Sequence, residues 1–222
     1  MYVKIKLELV ASLAVITTIL QFLSGTLVCR QYVINGTTSE SSPLPFICGF
    51  ISSGLWFLYG LTKQDNKIIL VNIVGIILML SYIIVFYSYT FKKSSVLKQL
   101  LVSLTVYCLY IIYHNVHINA PNNLKIMGFS ACSFTLLTVA APMSKLLYII
   151  RTKCTDCLPF PMIFMSLIVS SLWFLYDVCI SFLVFFQVPN FIAGALACAQ
   201  LSLFVIYPSA PPSPLLSKTT LA

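Results

Sequence analysis

Two asparagines, two tryptophans and a few serines carry most of the ligand chemistry that this 222-residue sequence offers. Trp56 and Trp173 are its only tryptophans, and each sits in the same word, Leu-Trp-Phe-Leu-Tyr, at 55–59 and again 117 positions later at 172–176. Asn72 and Asn190, 118 positions apart, lie in runs that are otherwise apolar. A carboxamide offers two donors and an acceptor, and an indole face packs against the apolar C–H face of a saturated ring. Two of each make a small pseudo-symmetric cage suited to an uncharged polyhydroxy ligand. Ser52 and Ser53 stand one helical turn before Trp56, and Ser170 one turn before Trp173. Ser53 and Ser170 are secondary candidates for lining the cage, and small residues for close helix packing explain them equally well. The plainer roles are interhelical hydrogen bonding for the asparagines and interfacial anchoring for the tryptophans. Recurrence at matched offsets favours the ligand site over both.

The elements that must position these groups are membrane helices. Hydrophobic residues are 59% of the chain, charged residues 8%, and the mean hydropathy is +0.99. Soluble domains carry about a quarter charged residues, so this surface faces largely lipid. The net charge of +8 comes from 13 Lys and Arg placed between apolar runs. That is topogenic charge flanking membrane spans rather than a nucleic-acid surface. Most of the eight cysteines lie inside apolar runs, where cysteine acts as a small hydrophobe. Cys154-x-x-Cys157 has metal or redox spacing but no second pair and no nearby histidine, so no metal or cofactor is expected.

Seven apolar stretches, 7–28, 44–62, 68–90, 97–118, 125–150, 160–183 and 187–207, each approach the ~20 residues needed to cross hydrocarbon. Only Gln187, Val188 and Pro189 mark the last break. The side holding the loops after spans one, three and five plus the C-terminus carries eight cations, against five on the other. That bias makes it the cytoplasmic side and puts the N-terminus outside or in a lumen. The first run is long and shows no clear cleavage site, so no removable signal is expected. Asn35-Gly36-Thr37 is a glycosylation sequon on the cytoplasmic side, and is expected to be unmodified.

The offset of 117 runs through three successive spans. Ser24-Gly25 maps to Ala141-Pro142, Leu55–Tyr59 to Leu172–Tyr176 and, with one further residue, Asn72 to Asn190. The expected architecture is all-α: two parallel three-helix repeats, 7–90 and 124–208, a linker helix at 91–123 and a disordered cytoplasmic tail at 209–222. A substrate path would lie between the repeats. No acidic residue sits mid-span near the Asn and Trp set, so coupling to protons or sodium has no evident carrier, and facilitated diffusion is favoured.

In its order and spacing this pattern resembles the SWEET, or saliva, family of sugar transporters, over about residues 7–208. The resemblance rests on Pro45-Phe46, Leu55 to Gly60, Val71 to Gly75, Ala141-Pro142, Thr152 to Thr155 before Leu158-Pro159-Phe160, Leu172 to Tyr176, and Pro189-Asn190. It implies bidirectional, energy-independent transport of mono- or disaccharides by alternating access, in the plasma membrane, the Golgi or both, with self-association. It maps the substrate pocket to Asn72, Asn190, Trp56 and Trp173, hinges to Gly25, Pro45, Pro142 and Pro159, and an outer gate to Tyr59 and Tyr176. Three departures stand out. Gly25 replaces a common proline. Asp177 replaces a glycine beside the gate, where it either alters gating or is solvated at the span end. The stretch 178–188 lacks the usual acidic residue.

Rival readings have less behind them. A seven-helix receptor leaves the repeat unexplained and lacks Asp-Arg-Tyr and Asn-Pro-x-x-Tyr. The amino-acid exporters of related build carry Pro-Gln, absent here. A carrier of another small solute, or a non-transporting trafficking scaffold of the same fold, remains the alternative. No nucleophile–base arrangement is legible around His114 or His117, so an enzyme is not expected.

Overall fold

The computed structural model describes residues 2–39, 41–116, 122–153, 155, 160–180 and 184–207, with side chains at 2–6, 139–148, 152, 180 and 184–186 outside the described set. Pro159, Cys154, Cys157, His117, the tail and the side chain of Pro142 therefore lie outside the described residues. The described chain is helical, without strands: α1 (Tyr2–Leu23), α2 (Gly25–Asn35), α3 (Leu44–Lys63), α4 (Asn66–Tyr89), α5 (Lys93–Val116), α6 (Asn123–Thr152), α7 (Phe160–Ile180) and α8 (Val184–Ile206). Six helices among the described residues are long and apolar enough to cross a membrane, with α1 and α2 counting as one. The expected fifth span falls on α6, whose central side chains are not described. This is an all-α polytopic membrane protein.

Its outer surface is what a bilayer demands. On α4 the exposed residues Ile73, Ile77, Leu80, Ile84 and Tyr87 recur every three or four positions, making one lipid-facing stripe. The opposite face buries Ile68, Val71, Asn72, Gly75 and Tyr82.

Packing repeats with the halves. α3 packs on α4 as α7 packs on α8, and α1 packs on α4 as α6 packs on α8. Between the halves, α3 meets α6 and α1 meets α7. Ala14 and Ala131, 117 positions apart, are both fully buried in the largest core cluster, which also holds both tryptophans. Small residues let backbones approach where lipid supplies no hydrophobic drive. The fourth span, α5, packs on α3, where the Tyr107 ring occupies the space a Cβ on Gly54 would need. His114 on α5 is hydrogen-bonded to Asn123 at the start of α6, N to N 3.0 Å.

The helix ends follow local chemistry. α3 stops at Gln64, which adopts left-handed φ of 57°, and α4 starts at once because Asp65 caps it, its Oδ1 accepting from the backbone of Lys67 (3.1 Å) and Ile68 (3.4 Å). Two boundaries differ from expectation. The first span runs on to Asn35 rather than ending near 28, since Arg30, Gln31 and Asn35 extend the helix beyond its apolar part. The last helix begins at Val184, ahead of the expected 187, and holds Pro189 within it. Proline there forfeits one intrahelical bond without ending the helix.

Candidate functional site

A cavity of about 390 Å³ lies between the two halves. That is at the small end of the ~300–1,000 Å³ typical of ligand pockets. Asn72, Asn190, Trp56, Trp173, Ser53 and Ser170 all line it, so the six residues singled out by spacing are brought together. None of the lining residues among those described is titratable.

Each indole is held by the opposite half. Trp56 Nε1 donates to Thr135 Oγ1 on α6 at 2.8 Å, and Trp173 Nε1 donates to Thr18 Oγ1 on α1 at 2.8 Å. Each threonine in turn donates one turn back, Thr18 to the Ala14 carbonyl (2.7 Å) and Thr135 to the Ala131 carbonyl (3.0 Å). Thr18 and Thr135 are themselves 117 positions apart. The cage thus rests on two crossed relays related by the repeat. The symmetry is broken at one point: Ser52 Oγ also lies 3.0 Å from Thr135 Oγ1, where the equivalent position beside Thr18 is Val169. With their N–H groups engaged, both tryptophans offer the cavity their rings rather than their donors.

Asn72 is buried on the cavity wall, and its Nδ2 donates to its own helix at the Ile68 carbonyl, 2.8 Å away. This bond is within α4 rather than between helices. It leaves the amide oxygen and the second N–H proton for a ligand. The serines divide their roles. Ser170 Oγ donates to the Ser166 carbonyl at 2.7 Å, and Ser53 Oγ fills the space beside Gly75 that a Cβ would take. Both therefore serve close packing as well as lining.

One end of the cavity is shut. It runs from the tryptophans toward the first turns of α3 and α7, reaching Pro45 and Met162. Tyr59 and Tyr176, one turn beyond the tryptophans the other way, do not line it and are 0% and 7% exposed. Each tyrosine stands edge-on to its tryptophan, with ring centroids 5.5 and 5.6 Å apart. Tyr176 Oη donates to Asp65 Oδ2 at 3.1 Å, joining α7 to the α3–α4 turn. Asp65 thereby serves twice, with one oxygen on the helix cap and the other on this closure. Asp177 is not solvated: it is 2% exposed, bonded by the Gln187 side chain and faced by Lys63. The Lys63 ammonium lies 5.9 Å from the Tyr59 ring centroid. At the same end Lys67 pairs with Glu8 at 3.5 Å and donates to Ser12 at 3.1 Å, tying α4 to α1.

The two described hinge candidates differ. Pro45 is in the first turn of α3, where a missing N–H removes no intrahelical bond. Gly25 follows an interruption at Ser24, where Ser24 N–H bonds to Gln21 O and Leu27 N–H to Ser24 O, tightening the turn. Nearby carbonyls are taken by side chains: Gln21 by Ser24 (2.6 Å), Leu23 by Thr26 (2.6 Å) and Phe22 by Tyr82 (2.9 Å). A Cβ on Gly25 would overlap the Tyr82 ring.

Thr18, Thr135 and Asp65 are the site residues that spacing arguments missed. The offset of 117 would have found both threonines, but a threonine in an apolar helix draws little notice beside tryptophan or asparagine.

Known proteins match this arrangement. The fold is that of a solved eukaryotic SWEET transporter, with a TM-score of 0.83 and 20% identity, over 93% of this chain and 99% of that one. A family model described as "Sugar efflux transporter for intercellular exchange" matches twice, at 8–94 and 125–211. The protein named Sugar transporter SWEET1 from Drosophila pseudoobscura pseudoobscura is 39% identical over 203 residues, 90% of this chain and 89% of its own. Sugar transporter SWEET1 of Caenorhabditis elegans is 30% identical, over 92% of this chain and 67% of its own. Bidirectional sugar transporter N3 of Medicago truncatula is 28% identical, over 77% of this chain and 65% of its own. The chain belongs to this SWEET family of sugar efflux transporters, a family of transporters rather than of enzymes.

Proposed function

We propose that this protein is a facilitative sugar uniporter that moves mono- or disaccharides in both directions by alternating access. The observation that carries the reading is the uncharged cage between the halves, with Asn72 and Asn190 for hydroxyls and two ring faces locked by crossed threonine bonds. Substrate binds there because its hydroxyls replace water at the amides while its C–H face meets an indole. Among the described residues the lining has no titratable group to carry a coupling ion, in keeping with flux driven by the sugar gradient alone.

The halves act as two units, 7–90 and 124–208, with 91–123 as linker and 209–222 as tail. In support, the two family matches are offset by 117 at both ends (125 − 8 and 211 − 94). The cation bias makes the Pro45 end cytoplasmic, in the plasma membrane or the Golgi. The described conformation is then inward-facing, with Tyr59 and Tyr176 as the closed outer gate, latched by Asp65 and flanked by Asp177. Gly25, Pro45, Pro142 and Pro159 are the hinge positions of this reading.

Radiolabelled glucose and disaccharide flux tests this, in cells expressing the parent or Asn72→Ala/Asn190→Ala at matched surface levels, with and without a proton ionophore. The expected result is bidirectional, ionophore-insensitive flux that the double variant loses. No flux of any sugar from a verified surface population sinks the reading in favour of another solute or a scaffold.

A further inference from the structure

A second cavity of about 230 Å³ opens beside the first and shares Gln21, Thr138, Ser166 and Ala193 with it. What it adds is Gln200 on α8, a side chain only 6% exposed that lines this cavity. No hydrogen bond holds the side-chain amides of Gln200 or Gln21 among the described residues, although neighbouring hydroxyls are spoken for: Thr138 donates to the Thr135 carbonyl at 2.7 Å. A carboxamide buried within a membrane protein and left unpaired costs free energy. Gln200, which is buried, and Gln21, which is half-buried, face one space and describe a surface for a partner that brings its own donors and acceptors.

The position of this space says which partner. Ser166 precedes Trp173 by seven residues, or roughly 10 Å along α7 at ~1.5 Å per residue. Gln200 follows Asn190 by ten residues on α8, in the same direction. The second cavity thus lies beside the part of the first that runs toward the Pro45 end, away from the latched tyrosines. The repeat does not account for it. Gln200 corresponds, at the offset of 118 that relates Asn72 to Asn190, to Tyr82, which instead closes the Phe22 carbonyl in the first half. The departure from the repeat is at Gln200; Gln21 and Thr138, 117 positions apart, follow it.

We infer that Gln21, Ser166 and Gln200 form a second sugar subsite, which holds the further ring of a disaccharide whose first ring occupies the Asn72–Asn190 cage. This rests on the sugar-carrier reading above. A monosaccharide held between Asn72 and Asn190 does not need Gln200, which lines the second cavity and not the first. A disaccharide spans both cavities, and its second ring satisfies the two amides. Selectivity between the two classes is set at Gln200, which lines the second cavity and not the cage.

The test is radiolabelled glucose, sucrose and trehalose flux through the full chain in proteoliposomes, for the parent, Gln21→Leu, Gln200→Leu and Asn72→Ala/Asn190→Ala. Leucine suits an apolar setting, and glucose flux in the same vesicles reports folding. In Gln200→Leu, losing one satisfied amide contact corresponds to about a tenfold loss for a disaccharide, with glucose flux kept within about twofold, whereas Gln21→Leu alters a residue that also lines the cage and lowers both. The Asn double variant loses every sugar. An equal loss of glucose and disaccharide in Gln200→Leu, or no loss of either, overturns the subsite. A parent that carries glucose but neither disaccharide overturns it as well, and leaves the carrier reading standing. A parent that carries no sugar overturns both.

Discussion

At the scale of single residues, the crossed threonines are the most exposed to test. Thr18→Val and Thr135→Val keep the shape and remove the hydroxyl, so a buried indole N–H loses its acceptor at about 1 kcal/mol. Apparent sugar affinity should fall about fivefold. Thr135→Val should be the worse of the two, because Ser52 loses a partner as well. Concentration-dependent flux measures both, and two variants with the parent KM would show that the indoles hold their places without help. Tyr176→Phe isolates the closure, since it leaves the Asp65 cap on α4 intact. It should shift the balance toward the state open at that end by about 1 kcal/mol. Side-specific KM values report this: KM at the tyrosine end should fall, and unchanged values on both sides would remove Asp65 from the gate. Much of this site was legible in the chain because tryptophan and asparagine are rare here and recur in register. Asp65 was not, because the residue types of a turn do not disclose that a second carboxylate oxygen reaches a distant tyrosine.

At the scale of helices, hydropathy found the apolar spans but not their ends. It senses the thickness of hydrocarbon, whereas a helix stops where its last carbonyls find other partners, as at Gln64 with its left-handed backbone. That is why α2 carries on to Asn35 in a polar stretch, and why Pro189 sits inside α8 instead of opening it. The interruption at Ser24 was foreseen only as a glycine that could flex. The structure adds the Tyr82 ring packed against it. Gly25→Ala should therefore overpack this point and cost about 1–3 kcal/mol, read as a lower unfolding temperature in detergent. An unchanged temperature would mean that the ring swings aside freely.

At the scale of the molecule, a fixed offset in sequence became a repeated set of helix contacts: α3 with α6 answers α7 with α1, and α5, packed on α3, lies outside the repeat. Orientation is open to one simple assay. Asn35 is exposed at the end of α2, so burial would not protect it from glycosylation. Its sequon should nonetheless stay unmodified in a secretory-pathway host if the proposed orientation, drawn from the cation bias, holds. A mobility shift removed by glycosidase would invert the whole topology. Which end of the cavity is shut was not legible in the sequence, since a conformation open at either end would use the same residues and differ in which contacts they make.

Both tryptophans of the chain stand in the cavity wall, each buried and each with its indole N–H given to a threonine. Ultraviolet emission excited at the red edge of protein absorption therefore comes from the wall of this cavity and nowhere else. A sugar titration needs no dye or label. Quenching by an added ligand, and a change of emission colour in Thr18→Val or Thr135→Val, read the two walls of the same chamber directly.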